Sequence, residues 1–494
     1  LPSWLCGFDS RHPLHYGYAM TNPPIVVSPS GAVRGISRPD GGCEFLGIRY
    51  ATATRHQNPE DITTTEGVSD ATKFGPICPQ IPGALEIILG ADTTNISEDC
   101  LNLNVFTPST PSSQPQLPVV VWIHGGAYNN GSNSVPLYHG SSLASRGVVV
   151  VSINYRLGSF GFLGDNNFGI LDMISALRWV QRNIASFDGD VNNVTIIGES
   201  AGGSAVVSLM SSPEAKGLFH KAWAMSPSIG QLRTKDRAVQ AEQVFLEHAG
   251  VSTRKDLQSL TIAEMLDVQA KLEAIPTENF DHFTPAAGGS ALPHDIVTTA
   301  AESPLPFVVG TNRDENRLWA ALDPAQNQLG EDHWDDLCTQ TFGERAADAK
   351  NTYKRIRPNE VPWQLISSIH TDTAFRQRAQ RISEQRVAAN NKTWMYWFTW
   401  PTPVLDGIVG SCHGLDIPFA FDNLSIPGTD GLTGEGPERA AIATRFAGEI
   451  VQFARTSAPT WPAFDIDDRQ TLEICAEMNV LKDPESEIRV LFKD

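Results

Sequence analysis

The chain alternates between short apolar runs and longer segments with helical periodicity. The runs Val119–Ile123 and Val148–Ile153 are almost wholly apolar, which is typical of strands covered on both faces of a sheet. The segment Gly169–Ile184 has apolar residues at helical spacing on one face, and a late helix is predicted after Pro437. Further strands are predicted at Gly31–Ile36, Phe45–Ala51, Leu103–Phe106, Val194–Ile197, Lys221–Met225, Pro306–Val309 and Trp394–Trp400.

This alternation of strands and helices predicts an α/β fold with a mostly parallel central sheet and helices on both faces. Such sheets carry their active sites on loops at the carboxyl ends of the strands. No linker or internal repeat divides the 494 residues, so one catalytic domain over residues 1–494 is predicted. Two polar, helix-rich segments, 232–300 and 330–390, are predicted to be insertions above the sheet.

The charge balance limits the possible partners. The chain has 37 Lys+Arg and 56 Asp+Glu, a net charge of −19, which argues against nucleic acid because phosphate binding needs a basic surface. The acidity is interpreted as an aid to solubility, with steering of cationic substrates as the alternative. No apolar run approaches the ~20 residues of a membrane span. A monomer or homodimer that binds a small molecule is expected.

Cysteines and glycosylation sequons bear on the compartment. Cys78 and Cys100 flank a modest loop and are predicted to form a disulfide. Sequons for N-glycosylation occur at Asn95, Asn130, Asn193, Asn391 and Asn423. Together these features favour a secreted glycoprotein, with a cytoplasmic protein as the alternative.

A G-x-S-x-G motif stands between a predicted strand and a predicted helix. Gly198-Glu199-Ser200-Ala201-Gly202 follows the run Val194–Ile197 and precedes a segment rich in small and apolar residues. Strand, motif and helix in this order are typical of a nucleophile elbow, a sharp turn that lifts the serine hydroxyl clear of the sheet. The flanking glycines allow the strand and the helix to cross closely, because they lack a Cβ. Ser200 is therefore the candidate nucleophile.

A serine nucleophile needs a base, an acid that orients the base, and donors for the developing oxyanion. The loop 124–128, His-Gly-Gly-Ala-Tyr, follows a predicted strand and has small residues whose N–H groups can approach a carbonyl oxygen. The predicted donors are the amides of Gly126, Ala127 and Ala201, with Gly125 in support. An ordinary turn at the end of the strand is the alternative.

The acid and the base should follow the serine in that order along the chain. His413 lies in a loop between Gly410 and Gly414 and is the predicted base, since the other later histidines lie in helical or polar segments. Asp314 and Glu315 both follow a predicted strand, and spacing alone does not choose between them as the acid.

These motifs resemble those of the type-B carboxylesterase/lipase family, which also contains the cholinesterases. The matching segments span nearly the whole chain: Glu98–Val105, His124–Ala127, Gly198–Gly203, Asp314-Glu315, Cys412–Phe419 and Trp461–Asp465. The resemblance implies an α/β-hydrolase fold and a triad of Ser200, Glu315 and His413, with Glu315 preferred to Asp314. Ala127 in place of a third glycine resembles the bacterial branch, and Asp188 stands where the family usually has glycine.

The resemblance also implies roles around the triad. Glu199 and Ser226 are implied to support the triad, with a purely structural role as the alternative for each. The loop between Cys78 and Cys100 is implied to cover the site as a lid, or else to pack permanently on the body. Tyr128 and Trp400 are candidates for the substrate pocket. Since Trp394–Trp400 alternates faces as a strand, about half of its aromatic side chains are expected in the core.

The sequence therefore predicts a serine carboxylesterase that works through an acyl-enzyme, with neither a cofactor nor a metal. A lipase or a specialised xenobiotic or natural-product ester hydrolase of the same fold is the alternative. A non-catalytic binding protein of the cholinesterase type is less favoured, because the chain keeps all three candidate triad residues.

Overall fold

The architecture is built on one large sheet. The structure, a computed structural model, describes residues 23–83, 92–112, 114, 116–274 and 283–492. Within these ranges eleven strands form the sheet: β1 (Ile36–Ser37), β2 (Cys43–Arg49), β3 (Asn102–Thr107), β4 (Leu117–Ile123), β5 (Val149–Ile153), β6 (Gly189–Glu199), β7 (Lys221–Met225), β8 (Phe307–Asn312), β9 (Thr393–Phe398), β10 (Thr471–Ile474) and β11 (Asn479–Leu481).

The spatial order is β11-β10-β9-β8-β7-β6-β4-β5-β3-β2-β1. All pairs from β5 across to β10 are parallel. The pairs at both edges are antiparallel. The predicted mostly parallel sheet is confirmed.

Alternate residues of the central strands enter two separate cores. In β4, Val119, Val121 and Ile123 pack in the core on one face, while Val120 and Trp122 pack in the core on the other. The first core includes residues of the helices Phe168–Asn183 and Ala201–Ser211, and the second includes those of Pro437–Thr456. Because successive strand side chains point to opposite faces, a strand covered on both sides must be apolar throughout, as the sequence is here.

Helices flank this sheet and fill the connections between its strands. They are Ser141–Ala144, Gly158–Gly161, Phe168–Asn183, Ala201–Ser211, Lys235–His248, Ile262–Glu273, Ile296–Glu302, Arg317–Leu322, Glu331–Phe342, Ala346–Ile356, Pro362–Thr371, Gln377–Ala388, Ile417–Ala420, Thr429–Thr433, Pro437–Thr456 and Ser486–Leu491. A π-helical turn, Asp372–Arg376, joins two of them. The smaller sheets consist of Ile25–Ser28, Gly31–Arg34 and Val68–Asp70, of Ala51–Thr52 and Glu60–Asp61, and of Arg233–Thr234 and Ala286–Ala287.

The two predicted insertions are largely helical. Helices of segment 330–390 form a third core, which includes Trp334, Tyr353 and Ile369 and which Ile488 of the last helix also enters. The assignment of the whole chain to one domain stays a prediction.

The aromatic run of β9 differs from its prediction. Trp394, Tyr396, Trp397 and Phe398 are all buried, so the expectation that only half of them lie in the core is wrong. The physical reason is that β9 is an interior strand, paired with β8 and β10, whose alternate side chains enter cores on opposite faces, Tyr396 in one and Met395 in the other. Trp400 lies beyond the strand and is half-buried.

The predicted disulfide is wrong. Cys78 and Cys100 are both buried free thiols. The Cys78 Sγ accepts a hydrogen bond from the backbone N–H of Leu157 at 3.2 Å. A hydrogen bond with the Cys78 thiol, together with burial, keeps the pKa of Cys100 well above its ordinary value. Of the predicted lid between them, Ile81 is exposed, whereas residues 84–91 lie outside the described residues.

Asp188 has an unusual backbone that accounts for the glycine expected there. Its φ is 64°, in the left-handed region that glycine adopts most readily. Its carboxylate accepts hydrogen bonds from the N–H groups of Ser112 at 2.9 Å and Gln114 at 2.8 Å. Aspartate is among the residues that tolerate this conformation, because its side chain can satisfy local backbone groups.

The described helices include none with the length and apolar character that a membrane span needs.

Candidate active site

The predicted site residues lie on loops at the carboxyl ends of the central strands. Ile123 of β4 pairs with Gly198 of β6, Glu199 of β6 pairs with Met225 of β7, and Met225 pairs with Gly310 of β8. These four strands are parallel neighbours, so the loops after them leave the sheet side by side.

The turn at Ser200 is sharp and strained. Ser200 has φ 58° and ψ −121°, and it separates β6 from the helix Ala201–Ser211. Its N–H donates to the Met225 carbonyl at 2.9 Å. A Cβ on Gly203 would lie 2.6 Å from that same oxygen, so the helix reaches this depth only with glycine. Ser200 is only partly buried, as a nucleophile that meets a substrate must be.

The loop after β4 runs beside this turn. A Cβ on Gly125 would lie 3.0 Å from the Ser200 Cβ, which shows how closely the two backbones approach. Gly126 and Ala127 have φ of 103° and 51°, and both are partly exposed. Ala201 is the first residue of its helix, where the backbone N–H has no acceptor within the helix. The three predicted oxyanion donors therefore belong to adjoining backbone segments at the end of β4 and β6.

His124, the first residue of that loop, is held in place by contacts with Tyr155. It is buried, its ring stacks on Tyr155 with centroids 4.5 Å apart, and the Tyr155 hydroxyl donates to the His124 carbonyl at 2.8 Å. Burial lowers the pKa of His124 to about 4, so its imidazole is neutral near neutral pH.

His413 lies between two carboxylates. Its Nδ1 is hydrogen-bonded to Glu315 Oε2 at 2.6 Å, and its Nε2 lies 3.1 Å from Glu199 Oε1. All three side chains are buried. Burial alone would lower the pKa of His413, but the charges of Glu199 and Glu315 outweigh it and raise the pKa to about 9.

Glu315 and Asp314 have different environments, which the sequence could not show. The Glu315 carboxylate accepts a hydrogen bond from the Asn312 N–H at 2.6 Å in addition to its bond to His413. Asp314 instead forms ion pairs with Arg313, Arg317 and Arg357.

The sequence and the fold both have known relatives. Residues 22–489 match the model of the carboxylesterase family. The chain belongs to the carboxylesterase family. It is 36% identical to the para-nitrobenzyl esterase of Bacillus subtilis over 94% of this chain and 97% of that protein. It is 31% identical to the phenmedipham hydrolase of Pseudarthrobacter oxydans over 92% of this chain and 96% of that protein.

Solved structures support the same assignment. A carboxylesterase of Geobacillus stearothermophilus matches with a TM-score of 0.84 and 33% identity over 95% of this chain and all (100%) of that one. A structure titled PNB esterase matches with a TM-score of 0.83 and 32% identity over 96% and 100% of the two chains. The predicted α/β-hydrolase fold is confirmed, and the protein is a carboxylic ester hydrolase.

Two aromatic residues beside His413 were not predicted. The Trp319 ring lies 4.8 Å from the His413 ring, and Trp319 is 38% exposed. The Phe375 ring, on the π-helical turn Asp372–Arg376, lies 5.1 Å from it. Neither position is marked by a sequence pattern: Glu315 precedes the helix Arg317–Leu322, so helical spacing does not relate it to Trp319, and nothing in the sequence around Phe375 points to the site.

Three other predicted site residues of this esterase, Tyr128, Trp400 and Ser226, have different surroundings. Tyr128 is fully buried and packs edge-on against Phe162, with centroids 4.9 Å apart. The Trp400 Nε1–H donates to the Thr433 carbonyl at 2.9 Å. Ser226 is buried after β7, and its N–H donates to the Gly310 carbonyl at 2.8 Å. Pocket roles for Tyr128 and Trp400 stay predictions.

A further buried carboxylate, that of Asp416, lies close enough to His413 to affect its pKa. Asp416 is buried, and burial together with the charge of Glu315 raises its pKa to about 7. The Tyr396 hydroxyl donates to it at 3.1 Å. Asn312 links this region to the histidine loop, since its Nδ2 donates to the Cys412 carbonyl at 2.7 Å.

Proposed function

We propose that the protein is a serine carboxylesterase with the triad Ser200, His413 and Glu315. The observation that carries this proposal is the 2.6 Å hydrogen bond from His413 Nδ1 to Glu315. It lies at the carboxyl ends of the central strands, where Ser200 stands on a strained and partly exposed turn. A carboxylate on Nδ1 fixes the tautomer and turns Nε2 into the acceptor that a serine proton needs.

In the proposed reaction, the Ser200 Oγ attacks the ester carbonyl and its proton passes to His413 Nε2. The amides of Gly126, Ala127 and Ala201 stabilise the resulting oxyanion. The tetrahedral intermediate collapses, the carbon–oxygen bond to the alcohol breaks, and His413 gives its proton to the departing alkoxide. Water then attacks the acyl-enzyme, His413 takes a proton from it, and collapse releases the acid and returns the proton to Ser200.

Supporting roles are proposed for three neighbours. Gly125 keeps the loop close to Ser200, because any side chain there would meet the Ser200 Cβ and the Glu199 carboxylate. Glu199 stabilises the imidazolium through its 3.1 Å approach to Nε2. Ser226 supports the base of the turn, since it directly follows Met225, whose carbonyl accepts the Ser200 N–H.

The proposed substrates are small-molecule esters that are dissolved in water as single molecules and not gathered at an oil–water interface. One relative is named a para-nitrobenzyl esterase, a name that refers to esters of a small aromatic alcohol, and another is named a phenmedipham hydrolase. A lipase remains the second candidate within the same fold, because another relative is a bile salt-activated lipase of Homo sapiens, 29% identical.

An organophosphate titration tests the proposed mechanism. We expect one equivalent of a phosphonylating probe to abolish hydrolysis of a p-nitrophenyl ester and to add its mass to the peptide that contains Ser200. A chain that is not labelled, or is labelled elsewhere, would contradict the proposal. A series of acyl-chain lengths with and without an oil–water interface identifies the substrate class, because a rate that jumps only at the interface would indicate a lipase.

Changing Glu199 tests the pKa of the base. Since His413 must be neutral to accept a proton and its pKa is about 9, we expect kcat/KM of the free enzyme to rise with pH up to about 9. Glu199→Gln removes one of the charges that raise this pKa, so the acidic limb of the pH profile should move to lower pH.

The matched control for this variant is Glu273→Gln. Glu273 accepts a hydrogen bond from Gln269 at 3.0 Å in the helix Ile262–Glu273 and has no part in the proposed site. The control should leave the limb in place. A limb that does not move in Glu199→Gln, or that moves to higher pH, would refute the role of Glu199.

Secretion and glycosylation are proposals that rest on the sequons alone. Of the five, Asn95 is exposed, while the others are half-buried or buried. The Nδ2 groups of Asn391 and Asn423 donate to the backbone carbonyls of Ala301 and Leu137. Asn95 is therefore the position that a glycosyltransferase could reach in the folded chain.

A further inference from the structure

Asp314, the neighbour of the proposed catalytic acid, is buried and faces away from the chemistry. We infer that Asp314 is a positioning residue that clamps the loop of His413 to the loop of Glu315. This inference rests on the proposed function, because it gives Asp314 a part in holding two members of the triad together.

The clamp consists of paired backbone and side-chain hydrogen bonds. The Ser411 N–H donates to Asp314 Oδ2 at 2.8 Å, and the Asp314 N–H donates to the Ser411 carbonyl at 2.9 Å. Asp314 directly precedes Glu315, and Ser411 stands two residues before His413. The two loops are thus joined beside both residues that form the 2.6 Å bond.

A second pair of bonds ties both loops to the end of β9. The Phe398 carbonyl accepts from the Arg313 N–H at 3.0 Å and from the Ser411 hydroxyl at 2.8 Å. Gly410 has φ 59°, and a Cβ there would collide with Asp314 Oδ2. The carboxylate therefore fits against the histidine loop because residue 410 has no side chain.

Three arginines hold the Asp314 carboxylate in its ionised form. Burial opposes ionisation, yet Arg317, Arg313 and Arg357 lower the pKa of Asp314 below its ordinary value. The distances from its oxygens to the three guanidinium groups are 3.0, 3.0 and 3.3 Å. An acceptor that stays charged forms stronger hydrogen bonds to backbone N–H groups than a neutral one.

The arginines extend the support to the last helix of the chain. Arg357 also lies 3.3 Å from Glu485, and Glu485 accepts from Arg376 Nη1 at 2.5 Å. Arg376 belongs to the π-helical turn that also contains Phe375, whose ring faces His413. The clamp is therefore linked through Arg357 and Glu485 to the π-helical turn, which limits the displacement of Glu315 and His413.

A buried ion pair with no part in the site would affect stability alone, and the chain offers one for comparison. Asp172 is as buried as Asp314 and forms a two-pronged pair with Arg156, at 2.8 and 2.7 Å. Asp172→Asn is the matched control, because it removes a buried carboxylate from an arginine without touching either loop.

The test compares Asp314→Asn with Asp172→Asn in the full chain, at a temperature where circular dichroism shows both to be folded. For Asp314→Asn we expect kcat on a p-nitrophenyl ester to fall by about 10²-fold, the size that a displacement of about 1 Å can cause. The KM should change little, and the acidic limb of kcat/KM should move to lower pH because the His413–Glu315 bond loosens. Asp172→Asn should lower the Tm and leave kcat and the limb unchanged. A wild-type kcat and limb in Asp314→Asn, with only a lower Tm, would overturn the inference.

Gly410→Ala provides a second variant if Asp314→Asn does not fold. It keeps every charge but displaces the carboxylate from Ser411, so the same fall in kcat and the same shift of the limb are expected, and a wild-type profile would overturn the inference. The organophosphate titration of the wild type is independent of these variants. Labelling of Ser200 with normal kinetics in both variants would reject the clamp alone, whereas absent labelling would reject the proposed function.

Discussion

Replacing Ser200 by alanine is expected to lower kcat for ester hydrolysis by about 10⁴-fold or more, as the loss of a serine nucleophile does in enzymes that use a triad. The reason is that no acyl-enzyme can form without Oγ, so His413 and the oxyanion donors are left to promote only a slow direct attack by water. The measurement is kcat on a p-nitrophenyl ester, together with a circular dichroism melt to show that the variant is folded. The backbone strain at Ser200 remains with alanine, so the melt should change little.

Ser208→Ala is the control for this prediction. Ser208 lies in the same helix, Ala201–Ser211, and is fully buried. It should retain nearly all activity and all labelling by the organophosphate. If Ser200→Ala kept a substantial fraction of the wild-type rate while folded and free of wild-type protein, the assignment of the nucleophile would be wrong.

Replacing Glu315 by glutamine should lower kcat by about 10²- to 10⁴-fold, the range bounded by the loss of a triad carboxylate that leaves the geometry intact. The amide can fill the same space, but it has no charge to stabilise the imidazolium, and its NH₂ group can face Nδ1 and impose the wrong tautomer. Because Glu315 is one of the charges that raise the pKa of His413, the acidic limb of kcat/KM should also move to lower pH. Both effects are measured in one pH–rate profile.

Glu44→Gln is a close control for Glu315→Gln. Glu44 is also buried in the sheet, and its carboxylate lies 3.7 Å from the Nε2 of another histidine, His139. Burial raises the pKa of Glu44 to about 7, so the amide replaces a group that is partly neutral already. The control should keep kcat and the limb near those of the wild type, and a Glu315→Gln variant that did the same would exclude Glu315 as the triad acid.

Much of the fold could be predicted because its strands have both faces in a core. Continuous apolar runs such as Val119–Ile123 have few alternatives to an interior strand, and the structure places that run in β4. The aromatic run of β9 also has both faces covered, although its alternation predicted only half of the aromatic side chains in the core. The number of layers on a strand is set by helices distant in the chain, such as Pro437–Thr456, and local pattern does not reveal them.

The candidate site could be proposed from the sequence where chemistry fixes the residue types and their order along the chain. The positions of Ser200 and His413 followed from motifs and chain order, while the choice of Glu315 over Asp314 needed the family resemblance. The structure shows why spacing could not decide: adjacent residues on one turn point to a histidine and to three arginines. The prediction of a disulfide was wrong for a similar reason, because the spacing of Cys78 and Cys100 along the chain does not determine whether their thiols are bonded.

The carboxylates around His413 have a consequence for the end of the catalytic cycle. Ester hydrolysis leaves a carboxylic acid, which is ionised at neutral pH, and that anion forms next to Glu199, the neighbour of Ser200, in a chain of net charge −19. Because the pKa of His413 is about 9, its imidazole is protonated below that pH and attracts the anion, whereas above that pH no cation remains between the anion and the carboxylates, and like charges at such short range repel each other. The arrangement therefore favours departure of the acid at pH values above the pKa of His413, so that inhibition by accumulated acid should weaken as the pH rises through about 9, while inhibition by the uncharged alcohol should not follow this change.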